Sequence, residues 1–218
     1  MPSLNCAVLR LKGPMQSWGT SAQFSQRTTG AFPSKSAVAG LVCAALGLPR
    51  GSRAEREFLI EFRKLRMAAA TAVCGDKLKS SRLVDFHTVL GTSTADGKVK
   101  ESHMTYRHYL TDAEFMVFLS GPQDLVAKIG AALEDPVWGV WLGRKSCIPS
   151  AKVFAGFCED QEAGLREFFP NGGFLLAEDA EGFEDAQDYE PDIPVTFESA
   201  GRVFDMRRIK YRREAPAA

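Results

Sequence analysis

The chain has 218 residues, long enough to bury a sizeable core in one large domain or two small ones. Hydrophobic residues make up 45% and charged residues 25%, the balance of an ordinary water-soluble protein, and no run approaches the ~18 apolar residues of a membrane span. Lys/Arg and Asp/Glu number 27 each, so net charge alone points to no partner.

The start, MPSLNCAVLR, lacks the charged and apolar regions of a cleavable leader, so a cytoplasmic location with no membrane partner is expected. Cys6, Cys43, Cys74, Cys147 and Cys158 are odd in number and nowhere at CxxC spacing; they read as reduced, mostly buried thiols, with no metal site and no cofactor. The charge is uneven along the chain. Residues 1–110 hold 16 Lys/Arg against 7 Asp/Glu, and residues 159–200 hold 1 against 13. The basic half suits a polyanion, and the acidic segment suits solvent or a basic protein; both also read as plain solvated faces.

In chain order, LNCAVLRL (4–11) reads as a first strand, ended by Gly13-Pro14. SKSAVAGLVCAALGL reads as a helix capped by Ser34 and closed by Gly47 and Pro49. Between them lies MQSWGTSAQFSQRTTGAFPSKS, from Met15 to Ser36, longer than the ~4–6 residues typical of connections and too aromatic for a disordered linker. RAEREFLIEFR (53–63) reads as a second helix, RMAAATAV (66–73) and DAEFMVFL (112–119) as strands, QDLVAKIGAALED as an amphipathic helix and KVFAGF (152–157) as a further strand. That order fits the split βαβ, ferredoxin-like plan, with other α+β sandwiches left open. The excursion from Gly75 to Leu110, with basic clusters DKLKSSR and GKVKESH around a Gly97 turn, reads as a protruding strand hairpin. Residues 158–218 read as a small second β subdomain.

No GxSxG elbow, P-loop or dinucleotide-binding glycine pattern is present. His87 or His103 is available as a general base for metal-free RNA cleavage, but a loop histidine is more often a surface or stacking residue. Single-stranded RNA binding uses more of what is there, because exposed bases stack on aromatic and guanidinium planes while basic groups follow the phosphates. The opening loop offers Trp18, Phe24 and Arg27, with Gln16, Ser17, Thr28 and Thr29 as hydrogen-bonding groups. Lys35 and Ser36 stand at a helix N-terminus, which favours a phosphate. The excursion adds His87, Thr88, His103, Tyr106 and Arg107, and WGVWLGRKSCIPS adds Arg144, Lys145 and Ser146 beside Gly143. Each has a plainer reading: Trp18 as a plug at the sheet edge, Ser34 and Ser36 as caps, Tyr106 and the paired tryptophans as core.

LRLKGPMQSWG with RTTGAFPSKSAVAGLVCAALGL, DFHTVLG with TYRHYLTDAEFMVFL, and WLGRKSCIPSAKVFAG, in that order across residues 4–158, resemble the CasD subunit family of the CRISPR-associated Cascade complex, type I-E. The resemblance implies a RAMP protein: a ferredoxin-like, RRM-like domain over residues 1–157, a thumb hairpin inserted at about 75–110, and a small C-terminal β subdomain over 158–218. It implies a non-catalytic subunit that grips the 5′ handle of the CRISPR RNA, caps the assembly, meets the adjacent backbone subunit and the large subunit, and reaches target DNA only through the complex. The loop Met15 to Gly19, Arg27, Lys35, Ser36 and Arg144 to Ser146 then become handle-binding residues. A related branch cuts RNA, so a metal-independent endoribonuclease is the alternative, and a pure protein-interaction scaffold is a third.

Overall fold

A computed structural model describes residues 5–19, 22–23, 25–74, 77–78, 80–93, 96–198 and 201–216, with backbone alone at 22, 23, 74, 77 and 100. The chain starts with β1 (Cys6–Lys12), and three two-residue strands follow within the opening loop: β2 (Met15–Gln16), β3 (Ala22–Gln23) and β4 (Gln26–Arg27). Then come α1 (Lys35–Ala45), α2 (Arg53–Phe62), β5 (Arg66–Cys74) and β6 (Lys77–Leu78). The long pair β7 (Ser81–Ser93) and β8 (Val99–Thr111) precedes β9 (Glu114–Ser120), α3 (Gln123–Glu134) and β10 (Phe154–Cys158). The chain finishes with α4 (Gln161–Phe168), β11 (Phe174–Asp179), β12 (Asp188–Thr196) and β13 (Val203–Glu214).

Central strands carry apolar residues on both faces because both faces are covered. From β1, Ala7, Leu9 and Leu11 join the core under α1, α2 and α3, whereas Cys6 and Val8 join a second core on the other side. β9 divides the same way, Phe115, Val117 and Leu119 on one side, Met116 and Phe118 on the other. The sheet order is β10-β1-β9-β5-β11-β13-β12, every neighbour antiparallel, with β6 folded back on β5. The protein is thus α+β, built on one long antiparallel sheet.

Two expectations for residues 158–218 are corrected. The strands there do not form a subdomain of their own: β11 pairs with the edge of β5, from Phe174↔Ala72 to Glu178↔Ala68, and β13 and β12 extend the same sheet. α4 is a helix where only strands were expected. Asp160 caps it, its Oδ1 accepting from the Ala163 N–H at 2.7 Å, and Leu165 closes the second core. A Cβ at Gly164 would press into the Phe118 ring, so glycine lets α4 lie close on the sheet.

The acidic segment is partly answered within the chain. Lys35 pairs with Asp179, Arg207 with Asp192 and Asp179, Arg66 with Glu181 and Arg212 with Glu162.

Candidate nucleic-acid interface

A second sheet forms where the opening loop meets the β7–β8 arm. β7 pairs along one edge of β8. On the other edge β2 pairs antiparallel, Met15↔Thr111 and Gln16↔Leu110, and β4 pairs in parallel, Gln26↔Tyr106 and Arg27↔Arg107. The loop is therefore laid against the base of the arm by backbone pairing.

Its first residues serve as anchors. Gln16 is buried, its Nε2 donating to the Leu11 and Ala113 carbonyls at 2.9 and 2.6 Å, and its Oε1 accepts from Trp18 Nε1 at 3.2 Å. Ser17 donates its N–H to the Leu142 carbonyl at 3.0 Å and its hydroxyl to the His108 carbonyl at 3.2 Å. Thr29 Oγ1 accepts the Trp18 N–H at 2.8 Å, and Met15 packs against the core. Trp18 is 0% exposed, which corrects its reading as a base-stacking ring: its indole is enclosed in the main core and fixes the loop. Phe24 lies outside the described residues.

The phosphate reading of Lys35 is corrected as well. Its side chain is 3% exposed, with Nζ 2.5 Å from the Leu65 carbonyl and 2.9 Å from Asp179, and its backbone N–H donates to Asp192 at 2.7 Å. A carboxylate already occupies the N-terminus of α1, which is where the helix dipole favours an anion. Gly19 and Ser36 border a cavity of about 400 Å³ that Glu190, Asp192 and Arg202 also line.

The turn from Leu142 to Cys147 meets the loop from the other side. The Leu142 N–H bonds the Cys147 carbonyl and the Cys147 N–H bonds the Arg144 carbonyl, both at 2.8 Å. Gly143 sits at φ 98°, and a Cβ there would overlap the Ser17 carbonyl oxygen. Glycine is needed for both the conformation and the close approach. Burial pushes the Cys147 thiol up, against the Arg144 backbone bond, the Ser146 hydroxyl and the charge of Arg144. Arg144 Nη2 donates to the Arg27 carbonyl at 2.9 Å, and its guanidinium lies 4.7 Å from the centre of the Tyr109 ring. Arg144 Nη1 is enclosed without an acceptor. Lys145, 5.7 Å from the Trp141 ring, and Ser146 are exposed beside it, as is Arg27.

The arm has two unlike faces. By strand register, Val84, Phe86, Thr88 and Leu90 share one face with Met104, Tyr106 and His108. Phe86 and Tyr106 stack edge to face at 5.4 Å, and Phe86 and Leu90 are 56% and 76% exposed. The other face carries Asp85, His87, Val89, His103, Thr105 and Arg107; His87 and His103 are diagonal neighbours there.

The structure thus gathers Arg27, Arg144, Lys145 and Ser146 at the arm's base, and holds Thr88 and Tyr106 on one face of the arm with His87, His103 and Arg107 on the other. Sequence reasoning missed Arg82, whose Nη1 donates to the Thr29 carbonyl at 3.0 Å, and Tyr109 beneath Arg144. Their signal lay in sheet register, invisible in local sequence. Among the described residues no helix is long and apolar enough to cross a membrane.

Comparison with known proteins follows the same lines. CRISPR system Cascade subunit CasD of Escherichia coli (strain K12) is 33% identical over 182 residues, 79% of this chain and 81% of that protein. A chain of a solved CRISPR RNA-guided surveillance complex superposes with a TM-score of 0.77 and 29% identity, covering 97% of this chain and 91% of that one. The crystal structure of a Cas protein superposes at 0.70 with 28% identity, covering 97% and 95%. The model of the CRISPR-associated protein (Cas_Cas5) family matches residues 6–210, and the chain belongs to that family.

Proposed function

We propose that this chain is a non-catalytic RNA-binding subunit of a CRISPR Cascade surveillance complex, gripping the repeat-derived 5′ handle of the CRISPR RNA and capping one end of the assembly in the cytoplasm. One observation carries the reading: the Arg144 guanidinium, beside Lys145 on the Leu142–Cys147 turn, is seated on the backbone carbonyl of Arg27, in a loop that Gln16, Trp18 and Thr29 anchor against the arm. A cation seated in this way, with exposed basic residues beside it, suits a defined RNA end, since phosphate contacts set position and register. Similarity to the CasD subunit supports the assembly role. The order β10-β1-β9-β5, with helices joining β1 to β5 and β9 to β10, supports the ferredoxin-like RAMP plan.

In this reading the exposed aliphatic face of the arm suits the adjacent backbone subunit, and the face with His87, His103 and Arg107 suits RNA. The large subunit is a further neighbour, and target DNA is met only through the complex. The test is copurification: the chain coexpressed with companion subunits is expected to retain one RNA with a single repeat-derived 5′ end. Arg144→Ala with Lys145→Ala is expected to lower the retained RNA and flatten the salt dependence of binding. Unchanged retention by the folded double variant would sink the reading.

A metal-independent endoribonuclease is the second reading, favoured by the shared face of His87 and His103. Labelled repeat RNA incubated with the chain in EDTA separates the two. Specific cleavage lost in His87→Ala or His103→Ala would establish the second.

A further inference from the structure

Among the described residues four cysteine side chains are buried free thiols, and they divide between the two cores. Cys43 and Cys147 lie in the main core, whereas Cys6 and Cys158 share the second one. Cys6 and Cys158 are 152 positions apart, yet the pairing of β1 with β10 sets them directly opposite each other.

Opposed residues of antiparallel strands send their side chains to the same face, with Cα atoms about 4.5–5.5 Å apart. A disulfide accepts Cα separations of about 4.4–6.8 Å, so the backbone already stands within range. The Cβ atoms of such a pair are about 4.5–5.5 Å apart, against the ~3.5–4.5 Å of a disulfide, and have about an ångström to close. The fold permits that movement. Cys6 is the first residue of β1 and Cys158 the last of β10, and β10 is the edge of the sheet, bound on one side alone. Ends of edge strands open at lower cost than the centre of a sheet.

The sulfurs themselves meet. A hydrogen bond between them holds the Cys6 thiol below its ordinary pKa against the effect of burial, and pushes Cys158 up. α4 closes over the second sulfur, since a Cβ at Gly164 would lie 3.0 Å from Cys158 Sγ. A single buried thiol acts as a small apolar side chain. A facing pair has further chemistry, because either sulfur, once oxidised, finds its resolving partner in place.

We infer that Cys6 and Cys158 form a dithiol modification site, which hydrogen peroxide converts to a cross-strand disulfide and a dithiol reductant restores. One thiol attacks a peroxide oxygen; the O–O bond breaks, water leaves and the sulfur becomes a sulfenic acid. The second thiol attacks that sulfur, forming the S–S bond and releasing a second water. Each sulfur gives up one electron, both peroxide oxygens are reduced to water, and the two thiol protons end there. The bond fastens β10 and the start of α4 to β1 and restricts the unfolded chain, so the oxidised protein is the more stable form.

The test uses the full chain, reduced, exposed to hydrogen peroxide at neutral pH, capped with N-ethylmaleimide in urea and digested for mass spectrometry. The expected product is a peptide pair joined through Cys6 and Cys158 that dithiothreitol separates. Oxidation is expected to raise the melting temperature by about 5–10 °C, reversibly, in the native chain and to give no such rise in Cys6→Ala or Cys158→Ala. Recovery of both residues as capped thiols after peroxide overturns the inference, as does Cys158 oxidised alone beside a capped Cys6. A bridge that forms only when peroxide meets the urea-unfolded chain overturns it too, because the native strands would then not bring the sulfurs together.

Discussion

Arg207 grips Asp192 with two nitrogens, Nε at 2.8 Å and Nη2 at 2.9 Å, where both side chains are 5% exposed. Asp192 also accepts the Lys35 N–H, while Arg207 reaches Asp179, which in turn holds Lys35 Nζ. Two cations and two anions thus tie the start of α1 to β11, β12 and β13. Burial alone would lower the Arg207 pKa, but Asp192 and Asp179 hold it above its ordinary value.

Removing one member of such a set strands a buried charge. Asp192→Asn is expected to cost about 3 kcal/mol of stability, since breaking a buried pair is far costlier than the pair's net worth. Replacing Asp192 and Arg207 together by apolar residues of similar size should cost less than the two single changes summed. Urea unfolding of the four proteins measures the coupling; additive losses would show that the pair does not act as a unit.

Gly143→Ala places a methyl group where the Ser17 carbonyl lies and demands a strained φ of 98°. The expected loss is about 1–3 kcal/mol, with the Leu142–Cys147 turn displaced from the opening loop. Thermal unfolding reads the first effect, and RNA affinity reads the second through Arg144. A variant with native melting temperature and native affinity would mean that the turn tolerates the shift.

Tyr109 gives Arg144 a flat surface to rest on. Tyr109→Phe retains the ring and should bind RNA like the native chain, whereas Tyr109→Leu should bind about three- to tenfold more weakly. Repeating both changes in an Arg144→Ala background is the decisive comparison, because the effect of Tyr109→Leu should vanish there. An effect that persists without Arg144 would place Tyr109's contribution elsewhere.

Burial, with the charge of Glu55, pushes the Cys43 thiol from 9.0 up to about 12. The folded protein keeps this proton where the unfolded chain releases it. Stability contributed by the neutral thiol is therefore fully present below pH ~9 and is lost progressively as pH rises to about 12. Tyr211, pushed up to about 12 by burial and Asp188, acts in the same direction. Cys43→Ala should flatten the alkaline limb of the stability profile. Iodoacetamide at pH 8, read by mass spectrometry, should leave Cys43 unlabelled until urea is added.

Local pattern made much of this architecture legible. Ser34 and Ser52 stand as caps before amphipathic runs, and DAEFMVFL and RMAAATAV read as strands because apolar residues filled both faces. The arm was legible from two long alternating segments around a glycine. The C-terminal region was not, because β11 finds its partner more than a hundred residues back, at Ala68 to Ala72. DQEAGLREF carried a cap and a short apolar stripe, but eight residues give a weak helical period. At the candidate site, Arg27, Arg144 and Lys145 stood out as cations beside glycine and aromatic residues. The burial of Trp18 and the carboxylates around Lys35 depend on tertiary packing, and so lay beyond any reading of the loop alone.

The ladder that seats the opening loop on β8 is made of backbone groups, which are the same whatever side chains they carry. Position and content are thereby separated. Exposed Gln26 and Arg27 can be exchanged for other residues while the segment keeps its address beside the arm. A protein built this way can change the chemistry this segment presents by surface substitution alone, with its core, its register and its neighbours left as they are.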